Sequence, residues 1–494
     1  MIDSKNQISL TKALLPIIIL ILALTINGIH LSLSPTEENI LGEYTFHMTL
    51  LFCGIITSII GLIEKISIDT IIKKIFSSIK SIATAIIILF LVGGLAGIWK
   101  VSGVIPAMVF YGVKFINPSV FLPLTLIITA LVSLTAGSSY VTSATIGIAL
   151  VAVGTAFNIP PGMTAGAVIS GAYFGDKMSP LSDTTNLASA ISGTDLYTHI
   201  KYMMYTTFPT FIITFIIFCV ISFNLNNAVS TDVVEVNILS SIIEKDFFIG
   251  PVLFIVPICV LILAFLKIKP IIALSSGVIL AAIFALVYQN NVLEVIDSSK
   301  MNAIIKSIFT VTEIPLQIEN PEEIKELSKG LKKFYGLGGM ESMLWVITLT
   351  ICAMVFGGTM DAIGALSKIT RALLERAKNM FGLFVSTVIS CLGINITASD
   401  QYLSIIIPGK MFKEAYEERG LTPENLSRTL EDSGTVTSAL IPWNSCGAYH
   451  YGVLGVSVYD YFIYAIFNWM SPIMTLIYAG FSIKIRKILK SKTL

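Results

Sequence analysis

The chain has 494 residues, of which 54% are apolar and only 13% charged, and its formal net charge is +1. The charged share is about half of that in soluble domains and the mean hydropathy is +0.84, so a soluble globular protein is excluded. The balanced charge gives no reason to expect a nucleic-acid partner. The six cysteines are scattered singly, without the spacing of a metal site.

Uniformly apolar segments, long enough to cross about 30 Å of hydrocarbon, recur along the chain. They lack the polar stripe of a soluble amphipathic helix and the alternation of membrane barrel strands. We therefore predict an all-α polytopic membrane protein with about ten full spans. In chain order the apolar segments are about 13–33, 45–63, 82–99, 120–157, 163–194, 200–224, 249–267, 270–289, 343–360, 381–412, 425–450 and 457–483.

Two of these segments are too long for one span and carry a polar break near the middle. TAGSS interrupts residues 120–157, and TASDQ interrupts residues 381–412. A polar break at membrane depth is tolerated only where it is buried in protein or lines a wet cavity. We therefore predict two re-entrant hairpins whose tips lie inside the membrane.

Residues 163–194 and 425–450 contain the other two breaks, GDKMSPLSDTTN and EDSGTVTSALIPWNSCGA. Pro180 removes a backbone donor and clashes with the carbonyl one turn back, and Pro442 does the same in the second segment. Neighbouring hydroxyl and amide side chains can satisfy the freed backbone groups. We predict two discontinuous helices, rich in the hard oxygen ligands that a small cation such as Na⁺ prefers.

An internal repeat relates the two halves of the chain at an offset of 262 residues. In each half an odd number of crossings is expected, so the halves should be inverted. The segment 101–118 then has to lie along the membrane surface, like residues 361–379. Residue pairs with this offset include Thr135 and Thr397, Tyr140 and Tyr402, Pro180 and Pro442, and Tyr197 and Tyr459.

The predicted units follow from this repeat and from charge. Acidic stretches at 35–43 and 232–237 should be external, and basic connections and both termini should be cytoplasmic. The stretch 291–340 is predicted to be an external loop with a short helix. The units are a first inverted repeat at 1–224, an external linker at 225–248, a second inverted repeat at 249–483 and a basic cytoplasmic tail at 484–494.

Inverted repeats with discontinuous helices are typical of secondary transporters, whose sites lie near the midplane. A buried carboxylate can hold H⁺ or Na⁺ but not both, and this competition is the minimal chemistry of exchange. Asp183 is the first candidate and Asp176 the second, and both are Na⁺ candidates. The full set of predicted ion- or substrate-binding residues is Asp176, Ser179, Ser182, Asp183, Thr184, Thr185, Asn186, Ser138, Ser139, Thr142, Thr397, Ser399, Asp400, Asp432, Asn444 and Ser445.

Several of these side chains have plainer interpretations. Asp400 can cap the helix after a hairpin tip, and Glu431 and Asp432 can cap a helix segment. Lys177, next to Asp176, can form a structural ion pair, lie at the membrane interface or neutralise an anionic substrate. His199 is interpreted as an interfacial residue. Neither a P-loop nor a nucleophile with a base at membrane depth occurs, so we expect neither ATP-driven transport nor an enzyme.

The stretch SGAYFGDKMSPLSDTTNLASAISGTDLYTHI, at 170–200, resembles the signature of the NhaC-type sodium/proton antiporter family. IPWNSCGAYHYGVLGV, at 441–456, is similar to the second motif of that family. The resemblance implies a transport domain of hairpins and broken helices that moves, like an elevator, against a scaffold. It also implies a homodimer.

The resemblance implies a secondary transporter in a bacterial inner membrane that exchanges Na⁺ for H⁺, with Na⁺ as cargo and no resident cofactor. The family also includes exchangers that resemble malate/lactate antiporters, and amino-acid carriers. A Na⁺- or H⁺-coupled transporter of a small organic acid or amino acid is therefore the alternative. Besides Na⁺ and H⁺, the expected partners are the lipid bilayer and, in the alternative, that organic solute.

Overall fold

The computed structural model describes residues 8–33, 44–228, 241, 243–312, 314 and 338–488. Within these ranges the secondary structure is helical, apart from one isolated β-bridge between Leu421 and Lys487. Nine of the described helices are long and apolar enough to cross a membrane. The predicted all-α polytopic fold is confirmed.

Ten helices precede the middle of the chain. They are α1 (Leu10–Leu33), α2 (Thr45–Ile63), α3 (Ile68–Ser81), α4 (Ala83–Val101), α5 (Val104–Phe115), α6 (Pro118–Ala136), α7 (Ser139–Ala156), α8 (Pro161–Met178), α9 (Asp183–Ser192) and α10 (Leu196–Ala228). Helix α7 contains a π-helical turn at Ser143–Gly147.

Twelve further helices follow. They are α11 (Ile255–Phe265), α12 (Pro270–Tyr288), α13 (Asn290–Ile296), α14 (Lys300–Phe309), α15 (Leu344–Ala362), α16 (Ala365–Arg376), α17 (Met380–Thr397), α18 (Gln401–Glu418), α19 (Pro423–Leu430), α20 (Ser445–Leu454), α21 (Val458–Tyr461) and α22 (Ile466–Gly480). Between α19 and α20 lie a π-helical turn and a 3₁₀ turn.

The predicted repeat is visible in the bounds of the helices. Helices α9 and α20 begin 262 residues apart and end 262 residues apart. The same offset joins Gly137 and Ser399, which lie at the two hairpin tips with φ of 66° and 58°. A left-handed residue at each tip lets the chain stop one helix and begin the next within two or three residues. The two halves therefore use the same backbone devices at equivalent positions.

In both predicted hairpins, the two helices lie close together at the end opposite the tip. The rings of Phe121 and Phe157, near the two ends of the α6–α7 hairpin, are 5.5 Å apart between centroids. In the α17–α18 hairpin the guanidinium of Arg419 donates to the backbone carbonyl of Asn379 at 3.3 Å. Each pair of helices therefore returns to the side from which it started, as a re-entrant hairpin does.

Helix α5 lies within residues 101–118, for which a position along the membrane surface stays a prediction. The segment is a separate helix, as predicted, but most of its residues are buried, and it packs against α7. Residues 104–113 carry no charged or strongly polar side chain that would require water. The segment is therefore covered by protein.

Helix α3 lies within what was predicted to be only a basic connection. Ser67 caps it by accepting from the backbone N–H of Thr70 at 3.2 Å. Its Lys74 forms an ion pair with Asp361 at 2.7 Å, and α3 packs along α15. Alternation of isoleucines with lysines in this segment fits an amphipathic surface helix rather than a loop.

The stretch 291–340 contains two described short helices, α13 and α14, where one was predicted. The rest of it lies largely outside the described residues. So do the acidic stretches 35–43 and 232–237, most of the linker and the end of the tail. The division of the chain into repeats, linker and tail therefore stays a prediction.

Candidate functional site

The first helix break lies between α8 and α9, around Pro180. Ser179 has extended backbone, as the residue before a proline prefers. The carbonyl of Lys177 accepts from the hydroxyl of Thr185 at 3.0 Å, and the carbonyl of Pro180 accepts from the amide of Asn186 at 3.0 Å. Side chains of the break therefore satisfy the backbone groups that the proline frees.

The first hairpin tip meets this break through Asp176. Its carboxylate accepts from the backbone N–H of Ser139 at 3.0 Å and from the Ser139 hydroxyl at 2.7 Å. Asp176 is buried, and Ser139 begins α7. A carboxylate at a helix N-terminus is stabilised by the unpaired N–H groups there. Asp176 therefore ties the tip of the hairpin to the last turn of α8.

The second break is fixed to the second hairpin tip by Asn444 and Ser445. The Asn444 side chain accepts from the backbone N–H of Cys446 at 3.0 Å and donates to the carbonyl of Asn395 at 3.0 Å. The backbone N–H of Ser445 donates to the carbonyl of Ser399 at 3.0 Å. Asn444 and Ser445 therefore fix the backbone at the start of α20.

The two interrupted helices meet in the protein interior. The Lys177 ammonium forms an ion pair with Asp432, and both side chains are fully buried. The other carboxylate oxygen of Asp432 accepts from the hydroxyl of Thr206 at 2.8 Å and also from that of Thr475. Both charges of the pair are thus compensated, and the pair joins α8 to the π-helical turn that follows α19.

Glu431, next to Asp432, is different. It is fully buried, and neither of its carboxylate oxygens has a hydrogen-bond partner among the described residues. The hydroxyls of Thr184 and Thr435 face it from the two interrupted helices, and Lys177 and Asp176 interact with it electrostatically. A buried carboxylate without a donor is costly unless it binds a proton or a cation.

Asp183, the first candidate in the sequence, is exposed at the start of α9, and so is Asn186. The expectation that Asp183 is a buried titrating group is therefore wrong. The reason is helical geometry: Thr184 and Thr185 turn inwards, which directs the preceding residue outwards. Asp183 still lies close enough to Asp176 and Tyr402 to interact with them electrostatically.

Most other predicted oxygens serve the local backbone. Ser138 and Asp400 cap the helices after the two tips by accepting from backbone N–H groups at 3.4 and 2.8 Å. The hydroxyls of Thr142 and Thr397 donate to carbonyls one turn back on their own helices. The Ser399 hydroxyl is buried without a partner among the described residues.

Ser182 and Ser179 are buried at the first break. The Ser182 hydroxyl lies 3.1 Å from that of Thr184, and Ser179 accepts from the backbone N–H of Leu181 at 3.3 Å. Of the predicted set, the structure therefore brings Asp176, Ser182 and Thr184 together at the break. It places Asp432 in the ion pair with Lys177.

The sequence did not single out Glu431 as a binding residue, and it did not identify Thr206 or Thr475 as partners of Asp432. The acidic pair EDSG in an apolar run was a signal for Glu431. No sequence signal distinguished which of the two acids would be paired, because that depends on Lys177 in the other half of the chain. His199, interpreted as interfacial, is fully buried instead.

Residues 171–483 match the sequence model of the Na⁺/H⁺ antiporter family. The chain is 34% identical over 441 residues to the Na⁺/H⁺ antiporter NhaC of Alkalihalophilus pseudofirmus, a match that covers 89% of this chain and 91% of the relative. It is 34% identical over 387 residues to the malate-2H⁺/Na⁺-lactate antiporter of Bacillus subtilis, with 78% of each chain covered. The solved YdaH transporter of Alcanivorax borkumensis aligns with 96% of this chain and 99% of its own, at 11% identity and a TM-score of 0.37. The chain belongs to the Na⁺/H⁺ antiporter family.

Proposed function

We propose that the protein exchanges Na⁺ for H⁺ across the membrane and that Glu431 is the carboxylate that holds one or the other. The observation that carries this proposal is a fully buried carboxylate, faced by two threonine hydroxyls, neither of whose oxygens has a hydrogen-bond partner in the described part of the chain. It lies where the two interrupted helices meet, which is the position of ion sites in transporters with inverted repeats.

The surroundings of Glu431 suit both ions. With a proton bound, the carboxyl group is neutral and the burial cost falls. With Na⁺ bound, the hydroxyls of Thr184 and Thr435 supply further hard oxygens. The two states exclude each other because both neutralise the same charge. This competition couples the inward movement of one ion to the outward movement of the other.

The neighbouring charges position the site. Asp432 is committed to Lys177 and to two threonine hydroxyls, so it is less available as a ligand than Glu431. Asp176 is bound to Ser139, so a change of charge near Asp176 would be felt by the first hairpin tip. We propose that Lys177 and Asp432 hold the two halves together while Asp176 relays occupancy to the hairpin.

The exposed position of Asp183 supports alternating access. A carboxylate at the depth of a helix break would be costly against lipid, by roughly 3 kcal/mol, so it has to face water. We propose that Asp183 lies on the water-filled path to Glu431.

A second feature supports a sliding movement of the helix breaks and hairpins against a scaffold. A cavity of about 460 Å³ lies among α4, α7, α15 and α20, beside the contacts that α20 makes with α4 and α15, and its lining includes Lys100, Trp345 and Asp460. A space of this size beside these contacts leaves room for α7 and α20 to shift against α4 and α15. We propose an elevator-like exchange on this basis.

The experiment is proton movement in proteoliposomes under an imposed Na⁺ gradient, with no organic solute present. We expect Glu431→Gln to abolish Na⁺-dependent proton movement, because the amide keeps the shape but cannot titrate. Asp400→Asn is the matched control: it also removes a buried carboxylate, but asparagine caps a helix as well as aspartate does. Exchange by Glu431→Gln at the wild-type rate would refute the proposal.

The second candidate function is coupled transport of a small organic acid or amino acid. It is favoured by the relative named as a malate-2H⁺/Na⁺-lactate antiporter. If proton movement in the same vesicles requires malate, lactate or an amino acid, this second function replaces the first.

We further propose a homodimer in a bacterial inner membrane with both termini in the cytoplasm. The ion pair between Lys74 and Asp361 supports this orientation, because it brings two basic connections to the same end of the protein.

A further inference from the structure

Just after Glu431, three successive backbone carbonyls of the interrupted helix each accept a hydrogen bond from a buried carboxamide. The three carboxamides come from three different helices, α17, α18 and α22. The pairs are Asn395 with the carbonyl of Gly434 at 2.7 Å, Gln401 with that of Thr435 at 3.0 Å, and Asn468 with that of Val436 at 2.7 Å. Because a carbonyl oxygen can only accept, the amide nitrogen has to face it, which fixes the orientation of each side chain.

The irregular backbone of this segment explains why it needs donors from other helices. A π-helical turn at Glu431–Thr435 is followed by a 3₁₀ turn at Ser438–Leu440. Where the hydrogen-bond register of a helix changes, carbonyls lose their regular donors, and an unpaired carbonyl inside a membrane protein is costly. The carboxamides supply donors without adding a charge beside Glu431.

Gln401 holds the residue whose hydroxyl faces the proposed ion ligand. The carbonyl of Thr435 accepts from Gln401 and, at 2.6 Å, from the hydroxyl of Ser438. The hydroxyl of Thr435 faces Glu431 and has no other hydrogen-bond partner in the described part of the chain. The backbone of Thr435 is therefore held by its neighbours, while its hydroxyl is available to a cation at Glu431.

We propose that Gln401 is a positioning residue for Na⁺: it holds Thr435 so that the hydroxyl completes the oxygen shell of a cation bound at Glu431. Partners that orient a metal ligand from behind matter strongly, and their loss typically weakens metal binding by roughly 10- to 100-fold. A proton on Glu431 needs no such shell of oxygens. The inference rests on the proposed Na⁺ site and deepens it by naming a residue that sets its affinity.

The position of Gln401 connects the Na⁺ affinity to the second hairpin. Gln401 is the first residue of α18, directly after the hairpin tip. On the other side of the tip, Asn395 is itself oriented by Asn444, whose amide nitrogen lies 3.2 Å from its side-chain oxygen. A displacement of the tip would move the Gln401 donor away from Thr435. The affinity for Na⁺ would then fall, as the release step of an exchanger requires.

The test measures Na⁺-driven proton movement in proteoliposomes of the full-length protein, over a range of Na⁺ concentrations and with no organic solute. Gln401→Met keeps the length of the side chain but removes the donor to Thr435. We expect it to raise the Na⁺ concentration for half-maximal exchange about tenfold and to leave the maximal rate within about twofold of the wild type.

Gln289→Met is the matched control. Gln289 is also a buried glutamine whose carboxamide donates to a backbone carbonyl, that of Phe248 at 2.9 Å. It follows α12, and its other carbonyl partner is Ser102 rather than a residue of either helix break. Both variants should lower the melting temperature in detergent, because each loses a buried hydrogen bond. Only Gln401→Met should shift the half-saturating Na⁺ concentration.

If Gln401→Met does not fold, Asn468→Leu takes its place, because it removes the donor to the next carbonyl, that of Val436. We expect a rise of about threefold in the half-saturating Na⁺ concentration, since the change acts one residue away from Thr435.

Two results would overturn the role of Gln401 while the proposed function stands, that is, while Glu431→Gln abolishes exchange. One is an unchanged half-saturating Na⁺ concentration in Gln401→Met or, in its place, Asn468→Leu. The other is an equal shift in Gln289→Met, which would assign the effect to lost stability. Exchange by Glu431→Gln at the wild-type rate would instead refute the proposed function, and the role of Gln401 with it.

Discussion

The ion pair between Lys177 and Asp432 offers a direct measure of how the two halves are held together. Asp432→Asn keeps the shape of the side chain but removes the carboxylate that pairs with the fully buried Lys177 ammonium. Breaking a buried pair from one side costs about 3–5 kcal/mol. The Lys177 ammonium is 5.8 Å from the centroid of the Phe467 ring, and this cation–π contact offsets at most about 2 kcal/mol of the loss. We therefore expect Asp432→Asn to lose a few kcal/mol of stability.

The assay is a double-mutant cycle by thermal or denaturant unfolding in detergent, with Lys177→Met, Asp432→Asn and the double variant. Because the double variant removes both charges of this pair, it should be more stable than the sum of the two single losses predicts. A coupling free energy near zero would show that the two charges do not depend on each other, and the argument for the pair would be refuted.

Two further changes test the packing and the access path. Gly175→Ala should destabilise the protein by about 1–3 kcal/mol in the same unfolding assay, because an added Cβ would overlap the backbone of α6; Gly393→Ala, where an added Cβ meets nothing within 4 Å, is the control. Asp183→Asn should raise the Na⁺ concentration that gives half-maximal exchange and leave the maximal rate unchanged. The reason is that Asp183 is exposed on the proposed path, whereas the proposed ion ligand Glu431 is buried. Complete loss of exchange in Asp183→Asn would instead show that Asp183 is essential to the ion site, as the sequence predicts.

The four helix interruptions could be predicted from the sequence because their causes are local. Pro180 and the hydroxyl side chains after it stand out in an apolar run, and the structure uses them to end α8 and begin α9. The same holds for the hairpin tips, where a left-handed residue lies within each polar break. Local steric rules and the cost of unpaired backbone groups in a membrane determine these features without knowledge of distant contacts.

The pairing of charges could not be predicted because it depends on distant parts of the chain. Lys177 follows Asp176 directly, yet it pairs with Asp432, 255 residues away. Consecutive residues on a helix point about 100° apart, so neighbours in sequence do not face each other. The same geometry directs Thr184 inwards and Asp183 outwards. The buried residue near Glu431 is therefore Thr184, and not Asp183, which was the first candidate in the sequence.

The backbone features of the two halves repeat at the 262-residue offset, whereas the charged residues of the site do not. Capping residues and left-handed turns occur in both halves at the 262-residue offset, because each half has to build the same hairpin and the same break. The central charges have no such counterparts. At this offset Asp176 and Lys177 correspond to Ser438 and Ala439, and Glu431 and Asp432 are likewise matched by uncharged residues. The backbone features thus occur in both halves, whereas the central charges occur in one half each. Among the residues that the structure describes, Glu431 therefore has no equivalent carboxylate in the other half. A single competitive site is what an exchanger needs, since two independent carboxylates could hold Na⁺ and H⁺ at the same time and uncouple their movements.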